Sequence, residues 1–555
     1  MTTVTRRRFA AVAIALALSV LASAMAASSP RFFDDDPVWV ERDTQDASAI
    51  TRFEPNLFVE MTRNVIAGIP RYRGVRARNL NTVDEVPDSS WFTNRVGRRH
   101  LSPADVAIGP DTSSGPAPGA WTVVASKSDG ITPGFTVLDA AGARWFIKFD
   151  PRGYRGMATG TEVAVTKLMW ALGYHVPENH IAAMRREQLT IGAKAKLVAP
   201  DGSKRRLRAS DLDALLEGAN RDADGSYRVV ASRAVPGKPV GRIQFSGTRP
   251  DDPNDVVPHE DRRELRAYGV FAAWLNHVDA KGINSLDALI SDGEGGAFVR
   301  HYLMDFGSAL GSGAVAPADY WAGAEYMVET KQVGRQMLGF GLAYPKWHNT
   351  PFYESRAIGR LPLNNTRFDP DAWKPRVANP AFIQARPDDK FWAAQRLAAM
   401  TGDMIRAAVQ EGQFGDPAAE EFLARALAQR RDAIVRTYLT AINPISDPAL
   451  GGDGLLTFRN AAVDADVAVA PGGYQADWFR YDNATGTTAE HLGTSSSRST
   501  TMRAPVALPP GEGSFVKVEL RAVDAATPAW TQPAHAFFLR THGGWRLVGF
   551  ERVPD

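Results

Sequence analysis

The chain has 555 residues, 44 % hydrophobic and 23 % charged, the composition of an ordinary globular protein long enough for two or three domains. Its 64 basic and 62 acidic residues nearly cancel, and 61 basic residues remain if Arg6, Arg7 and Arg8 are lost with a leader, so nothing in the charge calls for nucleic acid as a partner. The absence of cysteine excludes disulfides and any disulfide-linked partner, thiolate zinc sites, Cys nucleophiles and lipid attachment through an N-terminal Cys.

Residues 1–26 read as an export signal, with a basic start, an apolar stretch from Phe9 to about Leu21 and Ala24-Met25-Ala26 as a small-residue cleavage site. Thr5-Arg6-Arg7-Arg8-Phe9 is similar to a twin-arginine signal; a general secretory signal that happens to hold three arginines is an equal reading, and an uncleaved N-terminal anchor a third. The expected location is therefore periplasmic or secreted. No later stretch approaches the ~20 apolar residues of a membrane span.

Residues 27–120 mix charged pieces with Pro and Gly and read as an N-terminal extension closed by Gly115-Pro116-Ala117-Pro118-Gly119. Within it, the polar, turn-rich stretch from Asn81 to Trp91 is expected to dock on the core. From Trp121 the pattern is two-periodic: Phe135-Thr136-Val137-Leu138 and Arg144-Trp145-Phe146-Ile147-Lys148-Phe149 flank a hairpin turn at Asp139-Ala140-Ala141-Gly142. A helix follows from about Thr161 to Leu172, stopped by Gly173. A second hairpin is expected between Tyr227-Arg228-Val229-Val230-Ala231 and Val240-Gly241-Arg242-Ile243-Gln244-Phe245. The spacing of Leu265, Tyr268, Ala272 and Leu275 predicts a helix from about Glu260 that delivers the chain into His277.

After Asn284 two short strands, Leu286 to Ile290 and Phe298 to Met304, flank a turn and bring Asp305 back towards Asn284. Residues 315–387, aromatic- and Pro-rich without periodicity, are the expected substrate-facing loops. Two helices are predicted next, Asp389 to Glu411 and one started by Asp416-Pro417. Beyond Gly451 the alternation of Phe515 to Ala522, and a turn at Gly543-Gly544, predict a small C-terminal β-sandwich over 446–555.

The chemistry concentrates at His277-Val278-Asp279-Ala280-Lys281-Gly282-Ile283-Asn284 and Asp305-Phe306-Gly307. Phosphoryl transfer needs a cation on phosphate oxygens, a carboxylate that orients the attacking hydroxyl, and a fixed positive charge on the nucleotide. Asp279 and Asn284, five apart in one loop, can face one phosphate, and Asp305 with Asn284 offers the oxygen ligands that a hard cation prefers.

Here the chain resembles the protein-kinase superfamily, whose catalytic loop His-Arg-Asp-Leu-Lys-x-x-Asn precedes Asp-Phe-Gly. The resemblance covers about residues 121–445 and implies an α+β, two-lobed fold. It implies that Asp279 is the catalytic base and that Lys281 steadies the transferred phosphate. Asn284 and Asp305 would hold magnesium or manganese, and Lys148 with its partner Glu162 would grip ATP. The acceptor is an unidentified hydroxyl-bearing protein, lipid or glycan.

Blander readings stand beside these. Thr159-Gly160-Thr161-Glu162 equally fits a capping box; Lys148 fits a solvated strand face; His277 fits a structural brace; Asp305-Phe306-Gly307 fits a plain turn. The chain also departs from the family pattern. Ser128-Asp129-Gly130-Ile131-Thr132-Pro133-Gly134 replaces the glycine-rich loop, Val278 replaces the arginine that pairs with a phosphorylated activation loop, and no Ala-Pro-Glu element follows. The pattern is closer to atypical kinases than to regulated protein kinases.

The main rival is a catalytically silent kinase fold acting as a binding or scaffold protein of the cell envelope; a carbohydrate-active enzyme using paired carboxylates is a third class. A metalloprotease and a serine hydrolase are disfavoured, because neither His-Glu-x-x-His nor Gly-x-Ser-x-Gly occurs. The C-terminal β-region is a candidate for binding an envelope polymer through aromatics such as Trp478 and Tyr481.

Overall fold

A computed structural model describes residues 30–55, 69–126, 134–198, 203–327 and 346–553. The export-signal residues 1–26 and residues 128–133 of the altered glycine loop lie outside the described residues. Among the described residues no helix is long and apolar enough to cross a membrane.

The chain is mixed α and β, with a large sheet at its centre. After α1 (Pro103–Ile108), strands β1 (Trp121–Ser126), β2 (Gly134–Leu138) and β3 (Arg144–Phe149) form an antiparallel meander. The hairpin predicted between β2 and β3 is set by Asp139, whose carboxylate accepts from Ala141 and Ala143 N–H. Helix α2 (Met157–Leu172) and strands β4 (Asn179–Met184), β5 (Leu189–Val198) and β6 (Lys204–Arg206) follow, then α3 (Ala209–Glu217) and β7 (Tyr227–Arg233). The sheet order is β4-β7-β3-β2-β1-β5-β6. One of its faces is apolar, carrying Trp145, Ile147, Phe135 and Ala195, and Leu212 and Leu216 of α3 complete that core.

The second predicted hairpin does not form. β7 pairs with β3 and β4, whereas β8 (Lys238–Gly241) pairs with β9 in a separate three-stranded sheet. Alternation marks both segments as strands but does not identify their partners. At Gly237, φ is +89° and a Cβ would lie 2.4 Å from the Leu289 carbonyl oxygen, so the chain turns onto its neighbour there instead of back on itself.

Helix α4 (Arg263–Trp274) leads to β9 (Ser285–Ser291) and β10 (Ala297–Leu303), paired in register from Ser285↔Leu303 to Ser291↔Ala297. A two-residue pair, β11 (Phe352–Tyr353) with β12 (Leu361–Pro362), precedes helices α5 (Pro380–Ile383), α6 (Pro387–Ala399), α7 (Gly402–Glu411) and α8 (Pro417–Leu439). The single helix predicted from Asp389 to Glu411 is therefore two. Met400 leaves helical geometry at ψ 98°, and the Thr401 hydroxyl caps the new start by accepting from Met404 N–H. Asp416 caps α8 as its sequence suggests.

The C-terminal strands β13 (Ile445–Leu450), β14 (Leu455–Asn460), β15 (Gly473–Asp482), β16 (Thr487–Ser497), β17 (Thr501–Arg503), β18 (Phe515–Val523), β19 (Ala534–Thr541) and β20 (Gly544–Glu551) form one three-stranded and one five-stranded sheet. Every second residue of β18 is buried, as its alternation requires. Trp478 and Tyr481 point inward, 0 % and 5 % exposed, so these two offer no surface to a polymer. Trp478, Trp530 and Phe538 belong to one apolar core with Trp274 and Trp392 of the helices, whereas Tyr481 packs in a smaller cluster with Phe32 and Phe537.

The extension before β1 docks at several places. Val86, Trp91 and Phe92 enter the helical core. Ala47 N–H donates to Ala297 O at 2.8 Å on β10, Phe53 N–H donates to Val240 O at 2.8 Å, and Arg242 N–H returns a bond to Phe53 O at 3.1 Å beside β8. Gly241, at φ +128°, is required there, because a Cβ would lie 1.7 Å from Phe53 O. Deeper in, fully buried Arg263 at the start of α4 binds Asp389 at 2.9 Å, Asp84 at 3.0 Å and Asp388 at 3.1 Å.

Candidate active site

Helix α4 ends at Trp274, and Asn276, at φ +46°, turns the chain out of the helix. Three groups from the 370s hold the loop that follows. The indole of Trp373 donates to Asn276 Oδ1 at 2.9 Å, Arg376 N–H donates to Val278 O at 2.8 Å, and Asn379 Nδ2 donates to Ala280 O at 3.4 Å. Part of the region expected to face substrate thus underpins the loop instead. No spacing in the sequence signals it.

His277 is buried, its ring 5.4 Å from Phe306 and 6.1 Å from Tyr268. Burial pushes its pKa down to about 4, against the pull of Asp279 and Asp305, so the imidazole is neutral at pH 7. Neither ring nitrogen has a hydrogen-bond partner among the described residues. That is a packing role, joining the loop to Phe306.

Asp279 is held from two sides. Asn284 Nδ2 donates to its Oδ2 at 2.9 Å and to its carbonyl oxygen at 2.8 Å, while Lys281 Nζ lies 2.7 Å from Oδ1. With both amide hydrogens of Asn284 turned to Asp279, the group it has left to offer is its Oδ1 oxygen. Met304 N–H donates to Asn284 O at 3.1 Å, which ties the loop to the end of β10 and sets Asp305 beside it.

Asp305 adopts the left-handed conformation, φ +63° and ψ +55°, which a short polar side chain tolerates better than most. Its Oδ1 lies 2.8 Å from Lys148 Nζ on β3, and Lys148 lies 3.0 Å from Glu162 Oε2 on α2. Burial opposes the Lys148 charge, but the carboxylates of Asp305 and Glu162 outweigh it and raise the pKa, so the ammonium is firmly protonated.

Glu162 also accepts from Phe306 N–H and Gly307 N–H, both at 3.0 Å. A Cβ at Gly307 would crowd Glu162 Oε2 at 3.1 Å. One buried carboxylate therefore fixes the lysine and the turn after Asp305 together.

The capping-box reading of Thr159 to Glu162 is thereby overturned, as is the solvated-face reading of Lys148. The helix begins two residues before Thr159, and its exposed donors go to Asp150. That carboxylate accepts from Gly156, Ala158 and Thr159 N–H at 2.8 to 3.0 Å and from the Thr159 hydroxyl at 2.8 Å. Asp150 was not legible as a site residue; an acidic residue seven positions before a helix start is the faint signal it gives.

All six candidate residues thus fall into two adjoining clusters, Lys148, Glu162 and Asp305 in one and Asp279, Lys281 and Asn284 in the other. Among the described residues no three His, Asp or Glu side chains could hold a metal. The all-oxygen pair of Asn284 and Asp305 suits magnesium or manganese arriving with a phosphate, which keeps several waters and takes only one or two side-chain ligands.

No protein-family model matches the chain, and no curated protein matches it. Among solved structures it is similar to the Helicobacter pylori proinflammatory kinase CtkA, at 12 % identity and TM-score 0.28, covering 56 % of this chain and 93 % of that one. It is also similar to the golgi casein kinase, at 11 % identity and TM-score 0.28, covering 73 % and 95 %. The form of that enzyme with Mn/ADP bound matches at 11 % identity and TM-score 0.28, covering 72 % and 94 %. These neighbours are kinases, but overlap at this level assigns nothing to the present chain.

Proposed function

We propose that this chain is an atypical kinase, a phosphotransferase that uses ATP and magnesium or manganese to modify a hydroxyl acceptor between two lobes. The single observation that carries the reading is the placement of Lys148 between Glu162 and Asp305, with the same Glu162 carboxylate accepting from Phe306 and Gly307 N–H. A strand lysine, a helix glutamate and a metal-side aspartate drawn from sites 157 residues apart in sequence have no packing reason to converge on one partly exposed point.

In this reading Lys148 grips the nucleotide phosphates and Glu162 orients it. Asn284 and Asp305 hold the cation, which would neutralise charge on the transferred phosphoryl group. Asp279, aimed by Asn284, orients the acceptor hydroxyl and takes its proton, and Lys281 stands beside the phosphate. Action outside the cytoplasm rests on residues 1–26 alone.

Magnesium or manganese with ATP is expected to stabilise the protein against heat, by about 2.7 kcal/mol at a ligand concentration 100 times Kd, because only the folded chain binds. Asp305→Ala should abolish that shift. Equal shifts in the two proteins would remove Asp305 from the metal site. A silent scaffold would show the shift in the native protein but no ADP release with any acceptor.

A further inference from the structure

Strands β5 and β6 and helix α3 lie between β4 and β7 in sequence, yet β5 and β6 join the large sheet at its far edge, beyond β1. β5 runs parallel to β1, with Ala125 opposite Lys196, and β6 pairs antiparallel with β5, with Lys196 opposite Arg206 and Val198 opposite Lys204.

The two faces of this hairpin differ sharply. Ala195 and Leu207 point into the core beneath α3, and Arg205, on that same side, binds Asp211 of α3 through both of its Nη atoms at 2.6 Å. Lys194, Lys196, Lys204 and Arg206 point the other way and are exposed. None of these four has a carboxylate partner within ion-pair distance among the described residues.

Lys196 and Arg206 sit directly opposite, an arrangement that like charges disfavour. In a protein with nearly balanced overall charge, four cations without a carboxylate partner among the described residues gather on one small hairpin. Packing does not require it, because the side chains face away from the core.

The register also relates this face to the candidate active site. On β3, Trp145, Ile147 and Phe149 point into the core under α3, so Lys148 lies on the opposite face. Gly134 of β2 pairs with Lys148, and Thr136 of β2 pairs with Ala125 of β1, which pairs with Lys196. The cations therefore continue the Lys148 face sideways. At ~4.8 Å per strand they are displaced sideways from it by roughly 14 to 19 Å, three and four strands away.

We propose that the face formed by Lys194, Lys196, Lys204 and Arg206 is a docking strip for an acidic, extended polypeptide segment of a protein partner. Charge complementarity selects an anion, and strand geometry selects a peptide. Lys194 and Lys196 are two residues apart, about 7 Å along a strand, which is the repeat at which alternate carboxylates of an extended chain present themselves. The surface is independent of phosphotransfer, so it can succeed or fail as a binding site whatever the chemistry at Asp279.

The test is fluorescence anisotropy on the full chain without nucleotide, using a fluorescein-labelled peptide of alternating Glu and Thr. Binding is expected, and raising the salt from about 0.05 to about 0.5 M should weaken it severalfold by screening. The double substitution Lys196→Glu with Arg206→Glu should weaken it about tenfold or more, while Arg503→Glu, at an exposed site on β17, should leave it unchanged.

Lys196→Glu alone should also weaken binding without lowering the melting temperature, since it replaces a repulsive cross-strand pair with an attractive one. Should the double variant fold poorly, Lys194→Gln with Lys204→Gln reads the same surface. Undiminished peptide binding in these variants overturns the proposal. So does tighter binding of a heparin oligosaccharide or of phosphatidylserine vesicles than of the peptide.

Discussion

Asp279→Asn is expected to stop turnover while leaving nucleotide binding intact. The substitution keeps the size of the side chain, and its amide oxygen can still accept from Asn284 Nδ2, which now binds Asp279 Oδ2 at 2.9 Å. What it loses is the capacity to take a proton and the charge that pairs with Lys281 at 2.7 Å. Removal of a positioned general base costs about 10²- to 10⁴-fold in rate, so ADP release should fall by that much. The thermal shift with magnesium and ATP should persist, because Lys148, Asn284 and Asp305 are untouched. A variant that turns over at the native rate would place the base elsewhere; one that loses the shift as well would make Asp279 part of the binding site.

The largest effect on stability is expected from Arg263→Ala. Arg263 is fully buried and binds three carboxylates, Asp84, Asp388 and Asp389. Its removal leaves Asp84 to Arg76, Asp388 to Arg386 and Asp389 to Arg266, so the buried site is left one positive charge short, and breaking a buried pair in this way costs about 3 to 5 kcal/mol.

The pH dependence gives the mechanism a signature. In the native chain burial pushes the Asp84 carboxyl up, but Arg263 and Arg76 outweigh that and hold its pKa below the usual value. Its stabilising contribution is therefore present above the unfolded pKa of about 4 and is lost as the pH falls through the lower folded value. Without Arg263 the Asp84 carboxyl loses the larger of the two charges that oppose its burial, and its folded pKa rises. The folded variant then holds more protons than the native chain does, so its deficit relative to the native chain shrinks as the pH falls from 7 towards 4. Chemical denaturation at both pH values measures this. A deficit independent of pH would show that lost packing, and not stranded charge, sets the cost.

The sequence carried the local parts of this structure well and the long-range parts unevenly. The 3.6-residue spacing of Leu265, Tyr268 and Ala272 and the strict alternation of β18 report burial directly, and both elements form. The loop from His277 to Asn284 was legible because its polar residues are fixed by their own spacing, with Asn284 reaching Asp279 inside one turn of chain.

Partner choice was not legible where it depends on the third dimension. Alternation in Tyr227 to Ala231 and in Val240 to Phe245 is the same whether the two segments pair together or join different sheets. Glu162 reads equally as a cap and as a lysine partner until Phe306 and Gly307 N–H are placed against it. The basic face of β5 and β6 was hidden for a related reason. Lys196 and Arg206 are separated along the chain and become one patch only through strand register.

The contacts of the early residues on the three-stranded sheet bear on solubility. That sheet has the order β10-β9-β8, so β10 and β8 are its two margins, and Ala47 bonds to one while Phe53 bonds to the other. Unpaired strand margins are templates on which a second molecule can add a strand. The extension occupies both positions with its own backbone, at a point where Gly241 admits no side chain. A fragment begun at Ile69 would keep every candidate catalytic residue, together with Asp84 and the core residues Val86, Trp91 and Phe92, yet bare two adhesive borders. Its failure in solution would then be self-association, with the candidate active-site residues left in place.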